Sequence, residues 1–276
     1  MVFKLYLDSR FRQETGGGSS DSEFSIELPH PIRVKGKALV DTILVPNSFY
    51  VIRAGENDNI YLKENSSVYR IVQIAQGQYN AITLKDAVLA ALQTGRSITN
   101  NYTVTYDTPT NKLLIGLDAG SDTFTLYSGK LLEQNLNNFN TRNPGDTGPT
   151  ASLPHNDSGD VTGFRALTAQ SGLFFQDVTA TDVVNCLPYH QLFLRSSLGG
   201  GYDAIGPDGS SDIIRRITCQ VGLNDMIVDQ HSLPHDSVTV GDREISSLSF
   251  RLTDCFGKTV DTKGHHISFS IIFLEE

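Results

Sequence analysis

Arg243-Glu-Ile-Ser-Ser-Leu-Ser-Phe-Arg-Leu-Thr-Asp254 and, beyond a turn-rich connection, His266-Ile-Ser-Phe-Ser-Ile-Ile-Phe-Leu274 decide the fold. In the first stretch Leu248, Phe250 and Leu252 alternate with Ser247, Ser249, Arg251 and Thr253. In the second, Ile267, Phe269, Ile271 and Phe273 alternate with Ser268 and Ser270. A period of two puts successive side chains on opposite faces, so each stretch is a strand with one buried face. Phe250, Leu252, Phe269 and Phe273 are assigned to a sandwich core. The polar side of the second strand ends apolar, at Ile272 and Leu274. A water-facing strand would keep alternating, so these two need a cover, either a neighbouring subunit or another part of the chain.

Working outward, Phe3, Leu5 and Leu7 give a first strand and Phe24, Ile26 and Leu28 a second, ended by Pro29 and Pro31. Residues 38–45 form a third, apolar enough to be buried on both faces. From about Asn57 the pattern changes. Short strands at 60–62, 68–74, 102–106, 113–117 and 124–126 surround a helix. Its start is read at Thr83 with Asp86 three residues on, Leu84, Val88 and Leu92 on its buried side, and Gly95 as C′ residue. Leu132, Leu136 and Phe139 have the spacing of a further short helix. Residues 141–162, rich in Pro and Gly, read as an exposed loop. Strands return at 173–175, 183–184, 192–194 and 213–221. Arg215 and Arg216 in the last of these put it near an edge or an interface.

The expected architecture is therefore mainly β: a sandwich from both chain ends, 1–56 and 163–276, with an inserted α+β subdomain at 57–140 and the exposed loop at 141–162. At 276 residues the chain is long enough for a substantial core, and Gly-, Ser- and Asn-rich composition with 19% charged residues suits many turns. A net charge of −9 disfavours generic nucleic-acid binding, leaving Arg215-Arg216 as a local basic patch, and no sequence-specific nucleic-acid partner is expected. No stretch reaches the ~18 apolar residues of a membrane span. The start is a strand pattern and not a signal peptide, so the sequons at Asn65, Asn101 and Asn156 are expected to carry no sugar.

Chemistry-bearing motifs are scarce. Cys186, Cys219 and Cys255 are odd in number and widely spaced, which reads as free buried thiols. His231 and His235 have i, i+4 spacing, but Pro234 between them opposes a helix. His265 and His266 are adjacent at a strand start and point to opposite faces. Asp208, Gly209 and Asp212 lack the remaining ligands of a calcium loop. The Gly16–Gly18 run lacks the Lys-Ser/Thr of a phosphate loop. The sequence therefore predicts no catalytic, cofactor-binding or metal site and no enzymatic activity.

Leu5-Tyr-Leu-Asp-Ser-Arg10, Glu23-Phe-Ser-Ile-Glu-Leu-Pro29, Ile43-Leu-Val-Pro-Asn-Ser-Phe-Tyr50 and the two closing strands resemble the penton, or minor capsid, proteins of polinton-like and adintovirus-like DNA viruses, relatives of virophages and adenoviruses. The resemblance covers both ends and, through Gly77-Gln-Tyr79 and the following helix, part of the middle. It implies a single jelly-roll with an inserted outer domain. It also implies a virion protein that forms homopentamers at capsid vertices, beside a major capsid protein and with a fibre or host receptor as further partner. Ile272, Leu274, Arg215 and Arg216 are the candidate subunit-contact residues. The first strand begins almost at Met1, so no basic N-terminal arm is expected, a departure from the family. A receptor- or glycan-binding β-sandwich of a viral fibre or spike is the alternative.

Overall fold

The structure is a computed structural model that describes residues 2–13, 20–65, 68–128, 156–166, 169–173, 176–199, 204–207, 209–230 and 236–274. Two compact units result, Met1–Phe49 with Tyr189–Glu276, and Tyr50–Pro188. In chain order the strands are β1 (Val2–Asp8), β2 (Glu23–Val34), β3 (Lys37–Pro46), β4 (Asn59–Glu64), β5 (Val68–Gln73), β6 (Tyr102–Asp107), β7 (Lys112–Leu117) and β8 (Thr123–Tyr127). They continue with β9 (Gln170–Leu173), β10 (Val178–Thr179), β11 (Gln191–Ser196), β12 (Ile213–Thr218), β13 (Met226–Asp229), β14 (Val238–Thr239), β15 (Arg243–Thr253) and β16 (Ser268–Leu274). Helix α1 spans Ala81–Gln93.

In the first unit one sheet has the order β1-β16-β3-β13, with β14 also on β3, and the other has the order β12-β11-β15-β2. The unit's first and last strands are thus neighbours, Leu5 opposite Ile271 and Leu7 opposite Phe269. Leaving aside the two-residue β14, the unit has eight strands, of which the first, eighth, third and sixth make one sheet and the second, seventh, fourth and fifth the other. That interleaving is the jelly-roll. The second unit is inserted between its third and fourth strands.

Both sheets turn their alternating apolar positions toward one core. Phe24, Ile43, Leu192, Leu194, Phe250, Leu252, Phe269, Ile271 and Phe273 are all buried in it. Phe250 meets Phe269 across the sandwich edge-to-face, ring centroids 4.8 Å apart, and Phe24 lies 5.7 Å from Phe250. Phe250, Leu252, Phe269 and Phe273 are 0–4% exposed there.

Two features of these strands differ from the sequence reading. β2 runs through Pro29 and Pro31 to Val34, because it is the edge strand of its sheet and needs no donor on its outer side. Between Ile32 opposite Ile245 and Glu27 opposite Ser247 the register slips, and the prolines sit inside that irregularity. β12 stops at Thr218, and a register shift at Leu194/Arg195 lets Ile213 and Ile214 both be buried. Its position at a sheet edge agrees with the reading from its arginines.

The second unit has its own core, built on sheets β10-β7-β6 and β5-β4-β8-β9 and on α1. Leu84, Val88 and Leu92 of α1 are fully buried there. The helix starts earlier than Thr83 suggests. Asn80 is the N-cap, its Oδ1 accepting from the backbone N–H of Ile82 and Thr83, while Thr83 Oγ1 accepts from the Asn80 N–H. Thr83 is therefore the N3 member of the capping box instead of the cap. Gly95 takes φ +68° directly after the C-cap, as its C′ placement requires.

The unit boundaries also correct the expected domain split. Residues 50–56 and 163–188 were expected in the sandwich, but Val51 and Ile52 belong to the second core. β9 pairs with β8 and β10 with β7. Apolar alternation reports a buried face and carries no label for the sheet that buries it. Residues 183–184 form no strand, with Val183 exposed and the Val184 N–H donating to the Asn111 carbonyl. The expected short helix at 132–139 and most of the 141–162 loop lie outside the described residues, as do Gly16–Gly18, His231, His235 and Asp208.

Candidate subunit-contact surface

The β1-β16-β3-β13 sheet has one face in the core and one facing outward. Outward positions follow from the register: Lys4 and Tyr6 on β1, Ser268, Ser270, Ile272 and Leu274 on β16, Leu39 and Leu44 on β3, Met226 and Val228 on β13. Ile272 stands between Lys4 and Leu39, and Val228 beside Leu44. Tyr6 is 76% exposed, Val228 49% and Met226 47%, whereas Ile272, Leu274 and Leu44 are half-buried by their neighbours.

A polar row divides this face into two apolar ends. Lys4 Nζ lies 2.5 Å from Asp41 Oδ2 and 5.2 Å from the Tyr6 ring centroid, and Ser270 Oγ donates to the same carboxylate oxygen at 3.2 Å. The hydrogen bond to Asp41 raises the Lys4 pKa, and the same bond lowers that of Asp41. The two charges cancel, so the row offers hydrogen-bonding groups without net charge.

The outer face of the other sheet is different in kind. It presents Ser25 and Glu27 from β2 and Ser247, Ser249 and Arg251 from β15. Among the described residues, none of the exposed large apolar side chains stands on that face. The two exteriors therefore differ: one carries the exposed Tyr6, Met226 and Val228 among polar and charged groups that include Lys37, Thr42 and Asp8, and the other is polar.

The structure separates the residues picked out by sequence. Ile272 and Leu274 lie together on the exterior that carries Tyr6, Met226 and Val228. Arg215 does not join them: it is buried on β12, with its guanidinium paired to Asp229 and, at 3.3 Å, to Asp236. Arg216, beside it, is exposed and opposes Phe193. Sequence reading missed Tyr6, Met226 and Val228. β13 has four residues, too few for alternation to register, and Tyr6 sits at an alternate position of the strand, where an exposed side chain breaks no pattern.

Other groups with chemical potential resolve into structural roles. His266 Nδ1 lies 2.8 Å from Asp21 Oδ1 and 3.4 Å from Ser9 Oγ. A proton relay needs the acid and the hydroxyl on different ring nitrogens. Here both face the same one, and Ser9 Oγ also accepts from the Ile267 N–H. His265 and His266 lie in the connection before β16 and not on the strand itself. Asp212 pairs with Arg195 at 2.8 Å. The three cysteines are free and half-buried, less enclosed than expected, and burial pushes the Cys219 thiol up to about 11. Among the described residues no group of three or more His, Cys, Asp or Glu could hold a metal, and no helix is long and apolar enough to cross a membrane.

No protein-family model and no curated protein matches the sequence. Among solved structures, the crystal structure of the mavirus penton protein is similar over 99% of this chain and 99% of that chain, with a TM-score of 0.48 and 9% sequence identity.

Proposed function

We propose that this chain is a structural subunit of a viral capsid, a penton-type minor capsid protein that assembles as a homopentamer at the vertices, against a major capsid protein. The observation that carries the reading is the difference between the two sheet exteriors. Jelly-rolls serve capsids, lectins and small-molecule-binding enzymes alike, so the fold by itself leaves the role open. Tyr6, Met226 and Val228 stand exposed on one sheet exterior while the described part of the other carries no exposed large apolar side chain, which is the asymmetry a contact with another copy would use. Complete burial of side chains of this size stabilises by roughly 1.5–3 kcal/mol each, enough for a few to hold a subunit contact. The segment resemblances at Leu5–Arg10, Glu23–Pro29 and Ile43–Tyr50 supply the viral part of the reading.

A five-fold ring is heterologous, so the face with Tyr6, Met226 and Val228 meets a different patch on its neighbour. Phe11 and Phe256, the most exposed apolar side chains of the first unit, are candidates for that patch. Mass photometry of the purified protein, with negative-stain micrographs of the same sample, tests the proposal. Five-fold rings are expected. A trimer would favour a fibre or spike head, and a monomer at tens of micromolar would remove the assembly role.

A further inference from the structure

The inserted unit contains a polar side chain with no internal explanation. Asn59, the first residue of β4, is 1% exposed. Its backbone is fully engaged: the N–H donates to the Asn156 carbonyl at 3.2 Å and the carbonyl accepts from the Ser158 N–H at 2.7 Å. Its side chain is not. Neither Oδ1 nor Nδ2 has a hydrogen-bond partner. Nearly all buried amides in proteins are bonded, so an amide with both ends free of protein partners needs a specific reason.

Alternation along β4 puts Asn59 on the same side as Tyr61, away from the Ile60 and Leu62 side that fills the second core. There a cavity of about 20 Å³ opens between the sheet and the segment after Asn156. Asn59, Tyr127, Ser128, Ser158, Thr162 and Gln170 are among its walls. The neighbouring polar groups are largely committed elsewhere. Tyr61 OH donates to Asn156 Oδ1 at 2.5 Å, Thr162 Oγ1 to the Ser158 carbonyl at 2.9 Å, and Ser128 Oγ to the Ala166 carbonyl at 2.5 Å. Asp157, also in the wall, has Oδ2 accepting from the Gly159 N–H at 3.2 Å, and among the wall residues it is Asn59 whose buried side-chain atoms have no hydrogen-bond partner.

We propose that this cavity is a binding site for one neutral hydroxyl group, either a water molecule or a single hydroxyl of a sugar or polyol. Size and chemistry both select it. About 10–15 Å³ holds one water-sized oxygen, so 20 Å³ holds one and not two. An amide offers one acceptor and one donor side by side, and a hydroxyl is the small group that both accepts and donates. A bare cation would satisfy only Oδ1 and a bare anion only Nδ2, and either would leave the other amide atom buried without a partner. The site is independent of the assembly reading, since it lies wholly within the inserted unit.

Two crystal structures at better than about 1.5 Å test the proposal, one grown and frozen without polyols and one soaked in a monosaccharide such as galactose. Expected in the first is a single ordered oxygen within 2.7–3.2 Å of Asn59 Oδ1 or Nδ2. If the soaked crystal keeps that lone oxygen, the source is water; if a sugar hydroxyl replaces it, the source is a glycan. In solution, the Asn59 side-chain NH₂ should show a cross-relaxation peak to long-lived water, lost in Asn59→Leu while the backbone spectrum of the unit is retained. A dry cavity, an amide bonded only to protein atoms, or no such peak in the folded wild type would overturn the proposal.

Discussion

Arg70 of β5 closes over the carboxylate of Glu64 on β4, and both are buried in the inserted unit. Glu64 is fully enclosed, yet none of its capacity is wasted. Oε1 also accepts from Tyr102 OH at 2.9 Å, and Oε2 accepts from the Ser97 N–H at 2.6 Å and from its hydroxyl at 2.5 Å. Arg70 spends another donor on the Thr94 carbonyl at 2.6 Å, just past α1. Burial and the neighbouring carboxylate push the Tyr102 hydroxyl pKa far up, so it remains a donor throughout the usual pH range. One carboxylate thus ties together two strands, the end of a helix, the segment after it and the start of β6.

Removing one member of such a pair strands a charge out of water. Arg70→Met should destabilise the protein by about 3–5 kcal/mol, and Glu64→Leu should leave Arg70 in the same position. The double variant should lose less than the sum of the singles, because the second change removes the stranded charge. Urea titration of all three variants measures this. Simple additivity would show that the pair is not coupled.

Little of this network was legible in the sequence, whereas most of the sandwich was. Phe269, Ile271 and Phe273 announce a buried face because a strand's period is two and local. Glu64, Arg70, Ser97 and Tyr102 share no spacing, and only the fold brings them together. The strand read at 173–175 shows the intermediate case: Leu173 does end a strand, but its start at Gln170, its pairing with β8 and the short β10 on β7 were not legible locally. On the candidate surface, Ile272 and Leu274 broke an alternation and were visible for that reason. Met226 and Val228 broke nothing.

Asp122 predicts a pH response. Its carboxylate accepts from Asn65 Nδ2 at 3.0 Å, from the Asn100 N–H at 3.1 Å, and from the Thr99 hydroxyl and N–H at 2.8 and 2.9 Å. These bonds, that of Asn65 foremost, lower its pKa from 3.8 to about 2. A depressed folded-state pKa means the unfolded chain takes up the proton first as pH falls. The contribution of Asp122 is therefore complete above about pH 4 and disappears as pH drops toward 2. Amide exchange at Thr99 and Asn100, corrected for intrinsic rates, should quicken across that window, and Asp122→Asn should flatten the response. Unchanged protection down to pH 2 would count against the assignment.

The aromatic contact between Phe250 and Phe269 joins the two sheets of the jelly-roll. Phe269→Ala should cost roughly 3–5 kcal/mol, the usual range for a buried phenylalanine. Phe269→Leu, which keeps most of the volume, should cost clearly less. Thermal melts rank the two. Equal losses would mean that the edge-to-face geometry, and not the filled volume, governs this position.

Ile272 and Leu274 test the assembly reading most directly. They are half-buried within the subunit, so part of their apolar surface is left for a partner to cover. Replacing both by Ser should remove on the order of 2–4 kcal/mol from each contact, a thirtyfold to thousandfold weakening. Light scattering should then report smaller particles at concentrations where the wild type is assembled, with the monomer's circular dichroism and melting temperature nearly unchanged. Val228→Ser, at the other apolar end of the same sheet, should act in the same direction. Ser249→Ala on the polar sheet should do nothing and serves as the control. If the double variant still assembles but melts several degrees lower, the two side chains belong to the subunit's own packing. The contact between copies must then be sought on another face.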